Sequence, residues 1–245
     1  MSGVGHVVSV RAVTKMYPLG TTEVWALRGI DFDLNRGDFI SIAGPSGSGK
    51  TTLLNLLGCL DTPTEGEVFL EGVSTRSLSD NQITDLRHGV IGFIFQSFNL
   101  IPVLSVRENV EFPLLIGAGR RPEPDQGWID HLVESVGLAD WSTHKPNELS
   151  GGQRQRVAIA RSLVNKPRIV MADEPTANLD SKTGEAIILL MKRISKELGT
   201  TFIFSTHDQR IVDDADHVIR LLDGLVTENT VTKKTAPVPG TVWRA

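Results

Sequence analysis

Gly44-Pro45-Ser46-Gly47-Ser48-Gly49-Lys50-Thr51 decides the fold. The stretch fits G-x-x-x-x-G-K-[ST]. The apolar run Phe39-Ile40-Ser41-Ile42-Ala43 leads into it, and Thr52-Leu53-Leu54-Asn55-Leu56-Leu57 continues from it as a helix. Strand, glycine-rich turn and helix are the setting the motif requires. Glycines let the backbone curl so that its N–H groups point inward, and the helix N-terminus adds positive potential, so the loop is built to cradle phosphates. Gly44, Ser46, Gly47, Ser48, Gly49 and Thr52 supply the cradle, Lys50 is expected on the β- and γ-phosphates, and the Thr51 hydroxyl on Mg2+. Average residue usage would give the pattern by chance in roughly one random chain in a hundred of this length, and the surrounding strand and helix make chance a poor account.

Working outward, Ile169-Val170-Met171-Ala172 and Thr201-Phe202-Ile203-Phe204 are further short apolar runs, of the kind covered on both faces by helices. Between them Ile187, Met191, Ile194 and Leu198 recur on one helical face, with Gly199 placed to end the helix. The alternation predicts an α/β core with a parallel sheet. Residues 7–13 read as a first strand, and Ile30, Phe32 and Leu34 alternate with Asp31 and Asp33 as in a half-buried antiparallel strand. From about 97 to 165 the sequence looks mainly helical, with a surface loop at Arg120-Arg121-Pro122-Glu123-Pro124, and this predicts a helical subdomain inserted into the core. After about Val226 the chain turns Thr-rich, with Pro237 and Pro239, and is expected to be a loose tail in which Trp243 is a stray aromatic.

Ile169–Ala172 runs into Asp173-Glu174, two acids at the carboxyl edge of the sheet, where ligands bind in this architecture. Asp173 suits the magnesium-holding role, directly or through water, and Glu174 suits a general base that polarises the attacking water. On its own Asp173-Glu174-Pro175 would be read as a cap or turn; the phosphate loop upstream shifts that reading.

A bare nucleotide-binding core leaves Leu149-Ser150-Gly151-Gly152-Gln153 unexplained. Ser150 is at the N-cap of a helix whose face is Val157, Ala160 and Val164, with Leu163 at its edge. Two glycines beside the serine let amides approach an anion closely, which makes a second phosphate-binding device; an ordinary Ser-capped helix is the bland alternative.

Leu149–Gln153 matches the ABC signature, and over nearly its whole length the chain resembles the nucleotide-binding subunits of ATP-binding-cassette transporters. The resemblance implies a P-loop NTPase core with an antiparallel β subdomain and an inserted α-helical subdomain. One cassette domain would span 1–226, with core and β parts at about 7–96 and 166–226 and the helical part at about 97–165, followed by a flexible tail over 227–245. It implies ATP hydrolysis with Mg2+, and it assigns roles. Tyr17 stacks on adenine. Gln96, after Phe93-Ile94-Phe95, senses Mg2+ and couples to the membrane subunit. His207, after Ser205-Thr206, contacts the γ-phosphate. Asp180, in Asn178-Leu179-Asp180, crosses between subunits. Lys50, Glu174 and His207 would be the catalytic set, and Thr51, Gln96 and Asp173 the metal set. Two copies would pair head to tail, with Ser150, Gly151, Gly152, Gln153 and Asp180 of one completing the ATP site of the other. Taken singly, these residues have plain readings: a surface tyrosine, a polar turn residue, a helix cap ahead of Ser181 and a structural histidine.

Several stretches are narrower signals. Leu56-Leu57-Gly58-Cys59-Leu60-Asp61-Thr62-Pro63-Thr64-Glu65-Gly66, Ile91–Pro102, Glu108-Asn109-Val110, Pro113-Leu114-Leu115 and the insert Leu19-Gly20-Thr21-Thr22-Glu23 resemble the branch of lipoprotein-releasing, macrolide-efflux and cell-division ATPases (LolD, MacB and FtsE). This implies a permease with four transmembrane helices and a large extracytoplasmic domain, a periplasmic adaptor in the efflux case, and a peripheral place on the cytoplasmic face of the inner membrane. A stand-alone subunit of the lipoprotein-release or export type fits best, and an FtsE-like regulatory ATPase signalling across the membrane is the alternative. Ala177 departs from the Gly that much of the branch carries there.

Composition fits this picture. The 245 residues carry 25 Lys+Arg against 29 Asp+Glu, a formal net charge of −4, which argues against a nucleic-acid partner held by bulk positive charge. With 40% hydrophobic and 22% charged residues the chain is of ordinary globular make-up. The single cysteine, Cys59, cannot pair within the chain, and no Cys/His cluster has zinc spacing, as expected of a reducing compartment. Met1–His6 lacks the features of a signal peptide. The longest uncharged run, between His88 and Arg107, contains Gln96, Ser97, Asn99 and Pro102 and would make a poor membrane span, so a partner would have to supply one.

Overall fold

Apolar runs bounded by glycine become strands, and amphipathic stretches between them become the helices that cover those strands. The computed structural model describes residues 6–116 and 124–232. In chain order they form β1 (His6–Leu19), β2 (Thr22–Asn35), β3 (Phe39–Ala43), α1 (Lys50–Leu57), β4 (Glu65–Leu70), β5 (Val73–Ser74), α2 (Asp80–Val90) and β6 (Ile91–Ile94). Then follow α3 (Val106–Leu115), α4 (Gln126–Ser135), α5 (Gly151–Leu163), β7 (Ile169–Ala172), α6 (Ser181–Leu198), β8 (Thr201–Thr206), the short α7 (Gln209–Val212), β9 (His217–Leu222) and β10 (Leu225–Val231).

Two sheets result. One is six-stranded, in the order β10-β9-β3-β8-β7-β6, parallel except for β10 at its edge. The other is four-stranded and antiparallel, in the order β2-β1-β4-β5. Every residue of β3, β7 and β8 is buried, and the period of two sends them into different cores. Phe39, Val170, Ala172, Phe202 and Phe204 join the cluster shared with α3, α4, α5 and α6. Ile40, Ile42, Ile169, Met171 and Ile203 join the cluster made with α1 and the antiparallel sheet. The architecture is the α/β core with an antiparallel sheet and a helical insert.

The first strand extends well beyond the expected 7–13: β1 runs to Leu19 and pairs with β2 along its length, and Leu19-Gly20-Thr21-Thr22 is the hairpin tip. Ile30, Phe32 and Leu34 alternate inward as the pattern predicts. Val157, Ala160, Leu163 and Val164 are all buried in one cluster, as that face predicts, with Val164 at the C-cap of α5. The expected tail starts too early at 227. β10 continues to Val231 against β9, and Thr232 N–H then donates to the Asp216 carbonyl at 2.9 Å. The Arg120–Pro124 loop lies outside the described residues except for Pro124, and so do Met1–Gly5 and the end of the chain with Trp243. Among the described residues no helix is long and apolar enough to cross a membrane.

Candidate functional site at the carboxyl edge of the parallel sheet

Strand register places the site. Ala43 of β3 is level with Thr206 of β8, and Phe204 of β8 with Ala172 of β7. The segments leaving these strands, Gly44 onward, His207 and Asp173-Glu174, therefore emerge side by side at one edge of the sheet. This is where ligands bind in open α/β sheets.

The loop Gly44–Gly49 curls through left-handed glycines, Gly47 at φ 80° and Gly49 at φ 105°, and Gly49 is the N-cap of α1. A Cβ on Gly44 would fall 2.2 Å from the Leu221 carbonyl oxygen, and one on Gly49 2.6 Å from that of Ala26, so backbone approach demands glycine at both. Ser46 is exposed and Ser48 buried within the turn, its N–H donating to the Pro45 carbonyl at 3.3 Å. Lys50 is buried, with its ammonium donating to the carbonyl oxygens of Gly44 (3.0 Å) and Pro45 (2.9 Å), which holds the charge against the loop.

Next to it, Thr51 Oγ1 donates to Asp173 Oδ1 at 3.2 Å. The same carboxylate oxygen accepts from Ser205 Oγ at 2.7 Å, and Ser205 Oγ accepts from the Glu174 N–H at 2.8 Å. Ser205 thus orients both acids, a role that the sequence reading did not assign, although Ser205 directly precedes Thr206-His207. Glu174 holds a left-handed backbone at φ 42°, and its Oε1 lies 3.4 Å from His207 Nδ1. His207 is mostly exposed and Glu174 half-buried, and with Thr176, Leu179, Asp180 and Asp208 they line a cleft of about 180 Å³.

The donor set at this edge fits the metal that the motif implies. Thr51 and Asp173 offer hard oxygens, the class Mg2+ takes, and few of them, which suits an ion that keeps waters and substrate phosphate as its other ligands. Among the described residues no group of three His, Cys, Asp or Glu could hold a metal by itself.

Other candidates lie around this cluster. Gln96 is exposed just beyond β6, and its carbonyl oxygen accepts from Asn178 Nδ2 at 2.8 Å. Asp180 is indeed a helix cap: it starts α6, and its Oδ1 accepts from the Thr183 N–H at 3.0 Å. Hydrogen bonding from Thr183, its side chain first and its N–H second, holds the Asp180 carboxyl below the usual range. Ser150 caps α5 in a full capping box with Gln153, whose N–H donates to Ser150 Oγ while Gln153 Oε1 accepts from the Ser150 N–H at 2.8 Å. Gly151 and Gly152 press on the chain around Asp180, where added Cβ atoms would fall 3.3 Å from Leu179 Cδ2 and 2.6 Å from Thr183 Cγ2. Tyr17, half-exposed on β1, donates its hydroxyl to Asp61 Oδ2 at 2.7 Å. The structure thus brings Lys50, Thr51, Asp173, Glu174 and His207 into one cluster, while Ser150–Gln153 sits on a separate helix packed against residues 178–183.

Comparison with known proteins follows the same lines. The sequence model of the ABC transporter family matches residues 27–177. The chain belongs to the ABC transporter family. As a member it is an ATP-hydrolysing cassette that uses ATP and Mg2+. It is 46% identical over 222 residues to an uncharacterized ABC transporter ATP-binding protein of Methanocaldococcus jannaschii, MJ0796, covering 89% of this chain and 94% of the relative. A solved dimeric structure of MJ0796, in a post-hydrolysis state bound to ADP and Pi, superposes with a TM-score of 0.83 at 44% identity, over 93% of this chain and all of that one. The lipoprotein-releasing system ATP-binding protein LolD 1 of Rhodopseudomonas palustris is 43% identical over 221 residues, 90% of this chain and 98% of that protein. The macrolide export ATP-binding/permease protein MacB of Bdellovibrio bacteriovorus is 46% identical over 220 residues, 89% of this chain but 33% of that longer protein. The branch read from the sequence is therefore the right one.

Proposed function

We propose that this cassette drives a membrane permease of the lipoprotein-release or macrolide-export kind, working as a head-to-tail pair around two ATP molecules. The observation that carries the pairing is the placement of the signature turn. Ser150 is exposed at the head of α5, capped, and anchored to its own residues 178–183, while Lys50, Thr51, Asp173, Glu174 and His207 lie together elsewhere. A second copy would bring its Ser150-Gly151-Gly152-Gln153 turn and Asp180 over that cluster. The dimeric state of the similar MJ0796 cassette supports this arrangement.

Within each site, the Gly44–Gly49 amides, Ser46, Ser48 and Lys50 hold the phosphates, Thr52 supports the loop, and Tyr17 carries the adenine. Thr51 and Asp173 would hold the magnesium ion, with Gln96 reporting on it, and the ion would neutralise charge on the phosphates. Glu174 accepts a proton from the attacking water, and His207 holds the Glu174 carboxylate and faces the γ-phosphate. Triphosphate satisfies donors on both copies at once, so binding favours the closed pair, and loss of phosphate removes that bridge. The exposed apolar residues after Gln96, Val103 among them, suit contact with a permease on the cytoplasmic face of the inner membrane. Such a permease would have four spans and a large extracytoplasmic domain, and in the efflux case it would meet a periplasmic adaptor.

The test is co-purification in mild detergent of the Glu174→Gln cassette with ATP present. Recovery of one integral membrane protein in fixed ratio is the expected result. A cassette dimer that forms with ATP yet retains no membrane protein would overturn the permease assignment and leave the pairing intact.

A further inference from the structure

Lys15, on β1, is buried, and its ammonium donates to Asp61 Oδ1 at 2.6 Å and to the Thr62 carbonyl at 2.8 Å. The same ammonium stands 4.9 Å from the centre of the Tyr17 ring. Asp61 uses both oxygens: Oδ1 accepts from Lys15 and from the Thr62 N–H, and Oδ2 accepts from the Tyr17 hydroxyl. Asp61 is itself tied to α1, because the N–H groups of Leu60 and Asp61 both donate to the Asn55 carbonyl, at 2.8 and 3.3 Å. The chain enters this turn through Cys59 in a left-handed conformation at φ 54°. A continuous set of bonds therefore runs from the phosphate-loop helix, through its C-terminal turn, to the tyrosine ring.

We propose that Lys15 and Asp61 are positioning residues that turn Tyr17 into a one-sided platform for the nucleotide base and fix its span from the phosphate loop. The proposal rests on Tyr17 being the base platform. Two physical consequences make it specific. The ammonium occupies one face of the ring in a cation–π contact, so a base can stack only on the other face. The anchoring of the hydroxyl to Asp61, itself tied to α1 through the Asn55 carbonyl, removes the swing of a half-exposed tyrosine before the nucleotide arrives, so less ordering entropy is lost on binding. Burial opposes charge on Asp61, but hydrogen bonds from Lys15, Tyr17 and the Thr62 N–H outweigh it and hold the carboxyl below its usual range, so it is an anion at neutral pH.

The experiment measures ATP turnover and its competition by inorganic tripolyphosphate, which has the phosphates and no base, on the full chain. Tyr17→Ala is expected to raise the KM for ATP about 5- to 150-fold, the range for loss of a base–aromatic stack, with tripolyphosphate inhibition unchanged. Asp61→Ala is expected to raise that KM about three- to tenfold, as for one net hydrogen bond, with kcat and tripolyphosphate inhibition unchanged. In a Tyr17→Phe background, where the hydroxyl is already gone, Asp61→Ala should add much less to KM. Lys15→Met keeps the stem without the charge and should raise KM in the same direction, which secures the test if Asp61→Ala folds poorly. An unchanged KM in both Asp61→Ala and Lys15→Met, beside a raised KM in Tyr17→Ala, overturns the positioning proposal alone. No effect of Tyr17→Ala overturns the platform reading beneath it. Equal weakening of ATP and tripolyphosphate by Asp61→Ala would mean that the turn merely supports the phosphate loop, and would also overturn the proposal.

Discussion

Glu174→Gln isolates the chemistry from the architecture. The glutamine keeps the size and shape of the side chain, and the backbone restraint on residue 174, its N–H held by Ser205 Oγ at 2.8 Å, does not involve the carboxylate. Two things are lost: an acceptor for the water's proton, and the attraction between Oε1 and His207 Nδ1 at 3.4 Å. The second loss is small. His207 has 63% of its side chain exposed and the pair is screened by water, so its removal should cost no more than about 1 kcal/mol, a shift of about 2–4 °C in the melting temperature of a chain of this size. The first loss is large. General-base catalysis contributes about 10²- to 10⁴-fold, or about 3–5 kcal/mol of barrier at 1.36 kcal/mol per decade. Phosphate release should therefore fall at least about a hundredfold, while ATP affinity and melting temperature hardly move. Because ATP is then bound and not consumed, gel filtration should show a stable ATP-dependent dimer. Turnover within about threefold of the unmodified chain, with nucleotide still bound, would refute Glu174 as the base.

Lys50→Ala removes the cation held against the phosphate loop and should weaken ATP binding by about tenfold or more, read by equilibrium titration. An equal mixture of Lys50→Ala chains and chains altered at Ser150 should show activity that neither parent has, since a mixed pair retains one intact composite site; activity no greater than the parents would mean that each chain completes its own site. Gly152→Ala puts a Cβ 2.6 Å from Thr183 Cγ2 and should lower the melting temperature, with about 1–3 kcal/mol of destabilisation in a denaturant titration. Burial pushes the Cys59 thiol up to about 11, so a thiol reagent at pH 8 should label the chain only after unfolding. The sign of the linkage is that stability present below the unfolded thiol pKa is lost as pH rises towards 11, and Cys59→Ala should flatten that alkaline limb.

The parts of the fold that were legible in the sequence are those where one segment suffices. Strands β3, β7 and β8 are short apolar runs because both their faces are covered, and the glycine that ends α6 sits at φ 64° as its position suggests. The hidden parts depend on partners distant in sequence. β10 reads as tail because its Thr and Glu residues face water at a sheet edge, yet β9 supplies the ladder that orders it. α2 has only half-buried apolar residues, Ile83, Leu86 and Val90, so its periodicity is faint, although Ser79 and Gln82 form a capping box at its start. The site divides in the same way. Lys50 and Thr51 are legible because a glycine-rich turn between a strand and a helix is a local pattern, and Asp173 and Glu174 because they directly follow a buried strand, whereas His207 is legible only through the resemblance to the family. Ser205 and the Lys15–Asp61 pair act through side chains 32 and 46 residues away, and only the folded chain brings those groups together.

The glycines of Gly151-Gly152 carry a second meaning in the same way. Read alone, they provide amides for an anion. In the fold they also provide closeness, since the head of α5 meets the head of α6 with no room for a methyl group at residue 152. Asn178, a few residues before α6, donates to the Gln96 carbonyl. Three stretches that the sequence presents as separate motifs therefore converge on residues 178–183: one expected to touch a neighbour's nucleotide, one expected to cross between copies, and one expected to face a permease. A tightly packed junction of this kind resists continuous deformation. The head of α5 that carries Ser150 and the turn that carries Gln96 are thus joined through residues 178–183, by the close contact at Gly152 on one side and by the Asn178–Gln96 hydrogen bond on the other.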